Sequence, residues 1–333
     1  MTARIGINGF GRVGRSFVRI AQERGFDVAV VNDLTSPHTL AHLLTYDSTY
    51  GRFPAPVTAT EDALVVDGDR ITVTKEKDPA ALDWSAHGVD IVIESTGRFR
   101  TRDDAALHLK SGARKVLLSA PGKGVDLTVV LGVNDSDYDP EAHDVISNAS
   151  CTTNCVAPMA KVLHDAFGLE QALMTTIHGY TNDQSLLDGP HKDLHRARSA
   201  AINIIPTSTG AARTTGTVIP ELAGRLDGLA VRVPVENGSL TDLTAVLAQP
   251  TTVEEVNAAF KEAASQAPLE GYLRYTEDPI VSRDIIGDPA SCVFDAGLTS
   301  GDGRLVKIFG WYDNEYGYTS RLADLCQLVS DRL

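Results

Sequence analysis

The chain has 333 residues, 43% hydrophobic and 22% charged, and its 30 Lys+Arg against 44 Asp+Glu leave a net charge of −14. That composition suits a soluble globular protein of about two domains at roughly 150 residues each. It disfavours nucleic acid as the main partner, because an acidic protein repels phosphate backbones. No apolar run approaches the ~18–20 residues of a membrane span, and MTARIGINGF enters a strand pattern with no signal-peptide architecture. The four cysteines (Cys151, Cys155, Cys292, Cys326) form neither a CxxC pair nor a secreted framework. A reducing cytoplasm is therefore expected, no metal site is expected, and a singled-out cysteine reads as chemical rather than structural.

In chain order, RIGIN (4–8) is a short apolar strand followed by Gly9-Phe10-Gly11-Arg12-Val13-Gly14, a G-x-G-x-x-G turn. An amphipathic helix, VGRSFVRIAQERG, follows and stops at Gly25 as a C-cap would. A second apolar strand, DVAVVND, ends in Asp33. The first glycine permits the tight turn, the second lets backbone approach a pyrophosphate, and the third lets helix pack on strand. The helix N-terminus then faces the phosphates, and the acid accepts hydrogen bonds from a ribose. A lone glycine motif is weak evidence, but strand, helix, strand and acid all fall in place for a dinucleotide. Asp33 would repel the 2′-phosphate of NADP, so NAD is the expected cofactor.

More strands are expected in LVVDGDRITVT (a hairpin turning at Asp67-Gly68), VDIVIESTG (89–97), ARKVLLSAP (113–121), LTVVLGV (127–133) and DVISNAS (144–150), with a helical pattern at 102–111. The alternation argues for a mostly parallel sheet. Ligands in such sheets sit at the carboxyl ends of strands, where Thr96-Gly97, Ser119-Ala120 and Ser150-Cys151 lie.

SNASCTTNC (147–155) places Cys151 among small polar residues at the start of a helix that runs to Gly168. Unpaired N–H groups there favour a thiolate, so a lowered thiol pKa is expected. Ser150, Thr152 and Thr153 offer hydroxyls to an oxyanion or a phosphate; a capping cluster with an incidental cysteine is the plainer alternative. MTTIHGYTNDQ (174–184) delivers His178 at a strand end, where it can pair with the thiol as proton donor and acceptor. Cys155, one turn along the helix, reads as a packing residue. HKDLHRAR (191–198) supplies Arg196, IPTSTGAA (205–212) supplies Thr209 and Gly210, and LAVRVPV (229–235) puts Arg232 in an apolar strand. A buried Arg there wants a partner, either a salt bridge or an anionic substrate. FGWYDNEYGYTS (309–320) offers Asn314 as an amide ligand or a helix cap.

Together GINGFGR, VNDLT, ESTGRF, SNASCTTNC, YTNDQ, IIPTSTGAA and WYDNE resemble the phosphorylating glyceraldehyde-3-phosphate dehydrogenases, and the resemblance runs from residue 4 to about 330. It implies an α/β chain. A Rossmann-type NAD-binding domain with a mostly parallel sheet would span 1–150 plus 316–333. An α+β catalytic domain with a mostly antiparallel sheet would span 151–315. It implies that Cys151 attacks the aldehyde of glyceraldehyde 3-phosphate, that His178 serves as acid/base, and that inorganic phosphate releases the product from a thioester. Matching positions imply Thr181, Asp183 and Arg232 for the substrate phosphate. Ser150, Thr152, Arg196, Thr209 and Gly210 match the site for the attacking phosphate. Gly9, Phe10, Gly11, Arg12, Val13, Asp33, Thr96, Gly97, Ser119 and Asn314 match cofactor contacts, and Leu34 and Pro190 match the NAD-selecting pair. A cytoplasmic homotetramer of glycolysis or gluconeogenesis is implied, with the loop 179–205 across its interface.

The chain departs from the family's commoner wording at Gly179 (usually Ser or Ala), His195 (usually Arg) and Tyr50 (commonly His). These leave room for a paralogue with altered inhibitor sensitivity. Erythrose-4-phosphate dehydrogenase shares the thiol chemistry, but TSTGAA sides with the glyceraldehyde enzyme. A cysteine hydrolase without cofactor is opposed by the glycine turn with Asp33, and a non-catalytic NAD-binding protein by the presence of both Cys151 and His178.

Overall fold

The computed structural model describes residues 3–333. The chain divides into two compact units. The first comprises everything described up to Val129, with Ser136–Ala149 and Thr319–Leu333; the second comprises Val130–Asp135 and Ser150–Tyr318.

The first unit contains β1 (Arg4–Asn8), α1 (Arg12–Arg24), β2 (Asp27–Asn32), α2 (Pro37–Thr45), β3 (Val57–Ala59), β4 (Ala63–Val66), β5 (Asp69–Thr74), β6 (Ile91–Glu94), β7 (Lys115–Leu118), β8 (Leu127–Thr128) and β9 (Val145–Ser147). They form one sheet in the order β8-β9-β7-β6-β1-β2-β5-β4-β3. It is parallel except for the β3-β4-β5 meander. β1 lies between β2 and β6, and Ile5 and Ile7 are fully buried, as a strand covered on both faces requires. Gly25 ends α1 in the left-handed conformation, its N–H donating to Ala21 O. Asp67 and Gly68 both take positive φ, the geometry of a two-residue hairpin turn between β4 and β5.

Two expectations are corrected here. The strand read over 127–133 stops at Thr128. Beyond it Asn134 Oδ1 accepts from Val130 N, Asp135 Oδ1 accepts from Gly132 N, and Gly132 turns to positive φ, so side chains divert the backbone from the ladder. The helix read over 102–111 is two short turns, Arg102–Ala105 and Leu107–Lys110.

The second unit contains α3 (Cys151–Phe167), β10 (Leu169–Gly179), β11 (Ile205–Ser208), α4 (Ala211–Val218), β12 (Leu226–Val233), β13 (Ser239–Thr251), α5 (Val253–Ala263), β14 (Leu273–Thr276), β15 (Cys292–Asp295) and β16 (Ser300–Tyr312). Its sheet runs β11-β12-β10-β13-β16-β15-β14, antiparallel except for the β10/β12 and β14/β15 pairs. The fold is therefore α/β, with a mostly parallel Rossmann-type sheet in one unit and a mostly antiparallel sheet in the other. α3 packs on β13, β15 and β16. The last helix, α6 (Tyr316–Ser330), starts in this unit and belongs to the first from Thr319 onward.

Candidate active site

Ser150 caps α3, its Oγ accepting from Thr153 N at 3.0 Å, so Cys151 is the helix's first residue. The apolar alternation of β10 ends on a buried His178. Cys151 Sγ and His178 Nε2 lie 3.4 Å apart. Beneath them, Tyr312 at the end of β16 shares its hydroxyl with Thr152 (2.9 Å) and Thr176 (2.7 Å) and meets the His178 ring edge-on, with centroids 5.9 Å apart. β10 and β12 run parallel with His178 opposite Arg232. Arg232 Nη1 consequently lies 2.7 Å from His178 Nδ1 and 2.9 Å from Gly179 O.

The electrostatics correct one expectation. The helix start is not enough to lower the Cys151 thiol. Burial pushes it up, and the Arg232 charge and the Thr152 hydrogen bonds only partly oppose this. Burial and the adjacent Arg232 charge press His178 the other way, to about 3. Both shifts favour the neutral forms, thiol and imidazole, over a thiolate–imidazolium pair.

A second cluster lies on the loop after β10. Thr181 Oγ1 donates to Asp183, and Arg196 bonds the other Asp183 oxygen. Arg196 also reaches Thr207 Oγ1 at 2.9 Å, and Thr207 donates to Asp193. Burial would raise the Asp183 carboxyl, but the Thr181 hydroxyl and the Arg196 and Arg232 charges together hold it below its ordinary value. Thr209 Oγ1 accepts from Ala211 N and Gly210 precedes α4. Among the described residues no hydrogen bond ties either to Cys151, His178 or Arg232. His195, one of the three departures, is exposed; its N–H donates to Asp193 Oδ1 at 2.9 Å, its Nδ1 lies 3.4 Å from the same oxygen, and its carbonyl accepts from Arg198 N.

The first unit holds a cavity of about 570 Å³ at the carboxyl ends of β1, β2 and β6, lined among others by Gly9, Gly11, Asp33, Leu34 and Thr96. The residues fit a dinucleotide. A Cβ on Gly14 would stand 2.4 Å from Gly9 O, so only glycine lets α1 come this close, while one on Gly11 would meet nothing within 4 Å. No side chain caps α1 and its first turn carries no acid, which leaves that end suited to phosphate. Asp33 also holds the turn itself, accepting from Phe10 N (2.8 Å) and Thr35 N (2.9 Å). The Phe10 ring is buried, and the residue's backbone N–H is given to Asp33. Arg12 pairs with Asp47 and lies over the Tyr50 ring, 5.6 Å from its centroid, which gives the Tyr50 departure a place. Val13 follows Arg12 in α1; Gly97 and Ser119 stand just beyond β6 and β7. In the second unit Asn314 is buried and accepts from Ser239 Oγ at 2.7 Å. Asp313, rather than Asn314, accepts from Glu315 N and Tyr316 N at the start of α6. Pro190 is exposed in the loop after β10.

Sequence reasoning missed Tyr312 and a buried polar network behind the cavity. Glu94 accepts from Asn8 Nδ2 (2.6 Å), Thr96 N (2.8 Å) and Thr96 Oγ1 (2.5 Å). Trp84 Nε1 donates to His108 Nδ1 at 3.0 Å, so the His108 proton sits on Nε2 and is directed at Glu94, 3.1 Å away. Asn32 Nδ2 joins through Asn8 Oδ1. A signal was available: three neighbouring apolar strands each end on a buried amide or acid, Asn8, Asn32 and Glu94.

Two family profiles match the chain: "Glyceraldehyde 3-phosphate dehydrogenase, NAD binding domain" over residues 3–102 and "Glyceraldehyde 3-phosphate dehydrogenase, C-terminal domain" over residues 150–314. The chain is 59% identical to a glyceraldehyde-3-phosphate dehydrogenase of Streptomyces coelicolor over the whole of both chains. It is 55% identical to one of Geobacillus stearothermophilus, covering all of this chain and 99% of that one. It is also 55% identical to one of Mycolicibacterium smegmatis over the whole of both chains.

Proposed function

The chain belongs to the glyceraldehyde-3-phosphate dehydrogenase family, and from that premise we propose how its own residues carry the reaction. It is an NAD-dependent oxidoreductase that converts glyceraldehyde 3-phosphate and inorganic phosphate to 1,3-bisphosphoglycerate. The observation that carries the residue assignment is Cys151 Sγ at 3.4 Å from His178 Nε2, with Arg232 against the far side of the ring.

Cys151 Sγ attacks the aldehyde carbon while His178 Nε2 takes the thiol proton. The new oxygen is held by the protonated imidazole and by backbone N–H at the start of α3, an oxyanion-hole arrangement. The chemistry that a bound nicotinamide supplies is acceptance of a hydride. The imidazolium passes the proton to the new oxygen, giving the hemithioacetal; loss of a hydride from its carbon then leaves a thioester on Cys151, the neutral His178 taking the hydroxyl proton back. Inorganic phosphate then attacks the thioester carbon and the thiolate leaves. Thr181, Asp183 and Arg232 bind the substrate phosphate; Ser150, Thr152, Arg196, Thr209 and Gly210 serve the attacking one. Gly9, Gly11, Asp33, Leu34 and Thr96 hold the dinucleotide, the Asp33 carboxylate disfavouring NADP.

A homotetramer is the proposed assembly. Leu186, Leu187, Leu194, Ile202 and Ile204 in the loop after β10 are each more than 70% exposed, more apolar surface than a free loop keeps. Sedimentation should give four times the 35.6 kDa chain mass, and a monomer would reject this. All four cysteines are free, which suits the cytoplasm; no helix among the described residues is long and apolar enough to cross a membrane.

The test is NADH absorbance from glyceraldehyde 3-phosphate with and without phosphate, beside erythrose 4-phosphate and NADP. Phosphate-independent turnover, or preference for the four-carbon aldehyde, rejects the reading. Cys151→Ser should lose nearly all activity, and substantial retained turnover would remove Cys151 as nucleophile.

A further inference from the structure

His178 Nδ1 sits in a triangle that cannot be satisfied all at once. It lies 2.7 Å from Gly179 O and 2.7 Å from Arg232 Nη1, and those two are themselves 2.9 Å apart. The ring is buried beside a guanidinium, so it is neutral and carries one proton on one of two nitrogens. A guanidinium only donates and a carbonyl only accepts. If Nδ1 accepts from Arg232, the ring proton is on Nε2 and points at Cys151 Sγ; the imidazole is then a donor and cannot take the thiol proton. If Nδ1 donates to Gly179 O, Nε2 turns a lone pair to the thiol. Arg232 is meanwhile poorly satisfied, because its Nε is buried with no hydrogen-bond partner. A guanidinium in that position gains by turning its fork onto an anion.

We propose that Arg232 is a positioning residue that sets the tautomer of His178, and that an anion on Arg232 converts Nε2 from donor to acceptor. Without the anion, Arg232 Nη1 donates to Nδ1 and the proton stays on Nε2. When a phosphate takes the guanidinium N–H groups, Nη1 leaves Nδ1. The ring proton exchanges from Nε2 to Nδ1, which donates to Gly179 O; no net charge moves. Nε2 can then accept the proton as the Cys151 S–H bond breaks and the bond to the aldehyde carbon forms. An aldehyde that brings its own phosphate thus switches on its own base, and one without a phosphate meets His178 in the donor form. This rests on Cys151 and His178 being the reacting pair.

The full-length protein, labelled with ¹⁵N-histidine, tests it directly. His178 is assigned by the signals lost in His178→Asn, and spectra are taken in chloride and in inorganic phosphate at matched ionic strength. We expect the Nε2–H form to dominate in chloride and the ratio of tautomers to reverse by about tenfold or more in saturating phosphate. The same ratio in both buffers overturns the proposal, with no variant needed. Arg232→Leu, which cannot donate, should show Nδ1–H in both buffers; retention of Nε2–H there also overturns it. Turnover of glyceraldehyde 3-phosphate is measured alongside. A tautomer that reverses in a protein without that turnover supports this inference while rejecting the proposed reaction.

Discussion

Gly310→Ala probes the packing that sets the Cys151–His178 distance. Gly310 lies on β16, two residues before Tyr312, and faces three sulfurs: Cys155 and Met159 from α3 and Cys292 from β15. All three sulfur residues are fully buried. A Cβ at position 310 would stand 2.5 Å from Cys292 Sγ, 2.7 Å from Met159 Sδ and 3.2 Å from Cys155 Sγ. Carbon contacts are most favourable at about 3.5–4.0 Å, so two of these overlap by about 1 Å. Met159 is flexible, but with no free surface it has nowhere to move; α3 or β16 must shift instead. Overpacking of this kind costs about 1–3 kcal/mol. Because Cys151 opens α3 and Tyr312 ends β16, the same shift disturbs the 3.4 Å contact with His178, and a displacement of about 1 Å at a reacting pair can cost about a hundredfold in rate. The assay is the urea midpoint and kcat of Gly310→Ala, of Cys292→Ala and of the double variant. Removing the closest sulfur should let the added methyl fit, so the double variant should be more stable than the two single effects predict by about 0.5–3 kcal/mol. Strict additivity, or a Gly310→Ala enzyme as stable and active as wild type, would refute the packing argument.

Three more predictions follow from polar groups of the two units. His178 is held near 3 in the fold against an ordinary 6.5, so acid protonates the unfolded chain first. Its contribution is complete above about pH 6.5 and lost as pH falls toward 3, on the order of 5 kcal/mol in all; identical midpoint-versus-pH slopes for wild type and His178→Asn would contradict this. Asp33→Asn removes the charge that repels a 2′-phosphate while keeping one oxygen for Phe10 N or Thr35 N. The ratio of kcat/KM for NAD over NADP should fall about tenfold or more, and an unchanged ratio would deny Asp33 the selecting role. Glu94→Gln sets an NH₂ group against donors from Asn8, His108 or Thr96. It should cost about 1–3 kcal/mol of stability and raise KM for NAD more than it lowers kcat, whereas an equal fall in kcat alone would place Glu94 elsewhere in the mechanism.

What could be read in the chain was what is local. The turn after β1, the stop at Gly25 and the hairpin at Asp67-Gly68 depend on residues within a few positions of one another, and each is where hydropathy and turn chemistry put it. The tail of LTVVLGV could not be read this way, because Asn134 and Asp135 side chains take the backbone N–H groups that a strand would have offered to its neighbour. Cys151 and His178 were legible separately, each at the end of its own element. Arg232 against His178 was not, since it depends on the register of β10 against β12, 54 residues away, and Tyr312 beneath Thr152 is 160 residues away. The thiol shows most clearly why this matters. A helix start is a local feature and argues for a lowered pKa, whereas desolvation is set by everything folded around the sulfur, and here desolvation wins. A site whose thiol is raised and whose histidine is depressed holds its proton on sulfur at rest. Activation must then come with what binds, which places the control of nucleophilicity on charges delivered at Arg232 and Cys151 rather than on the helix that carries the cysteine.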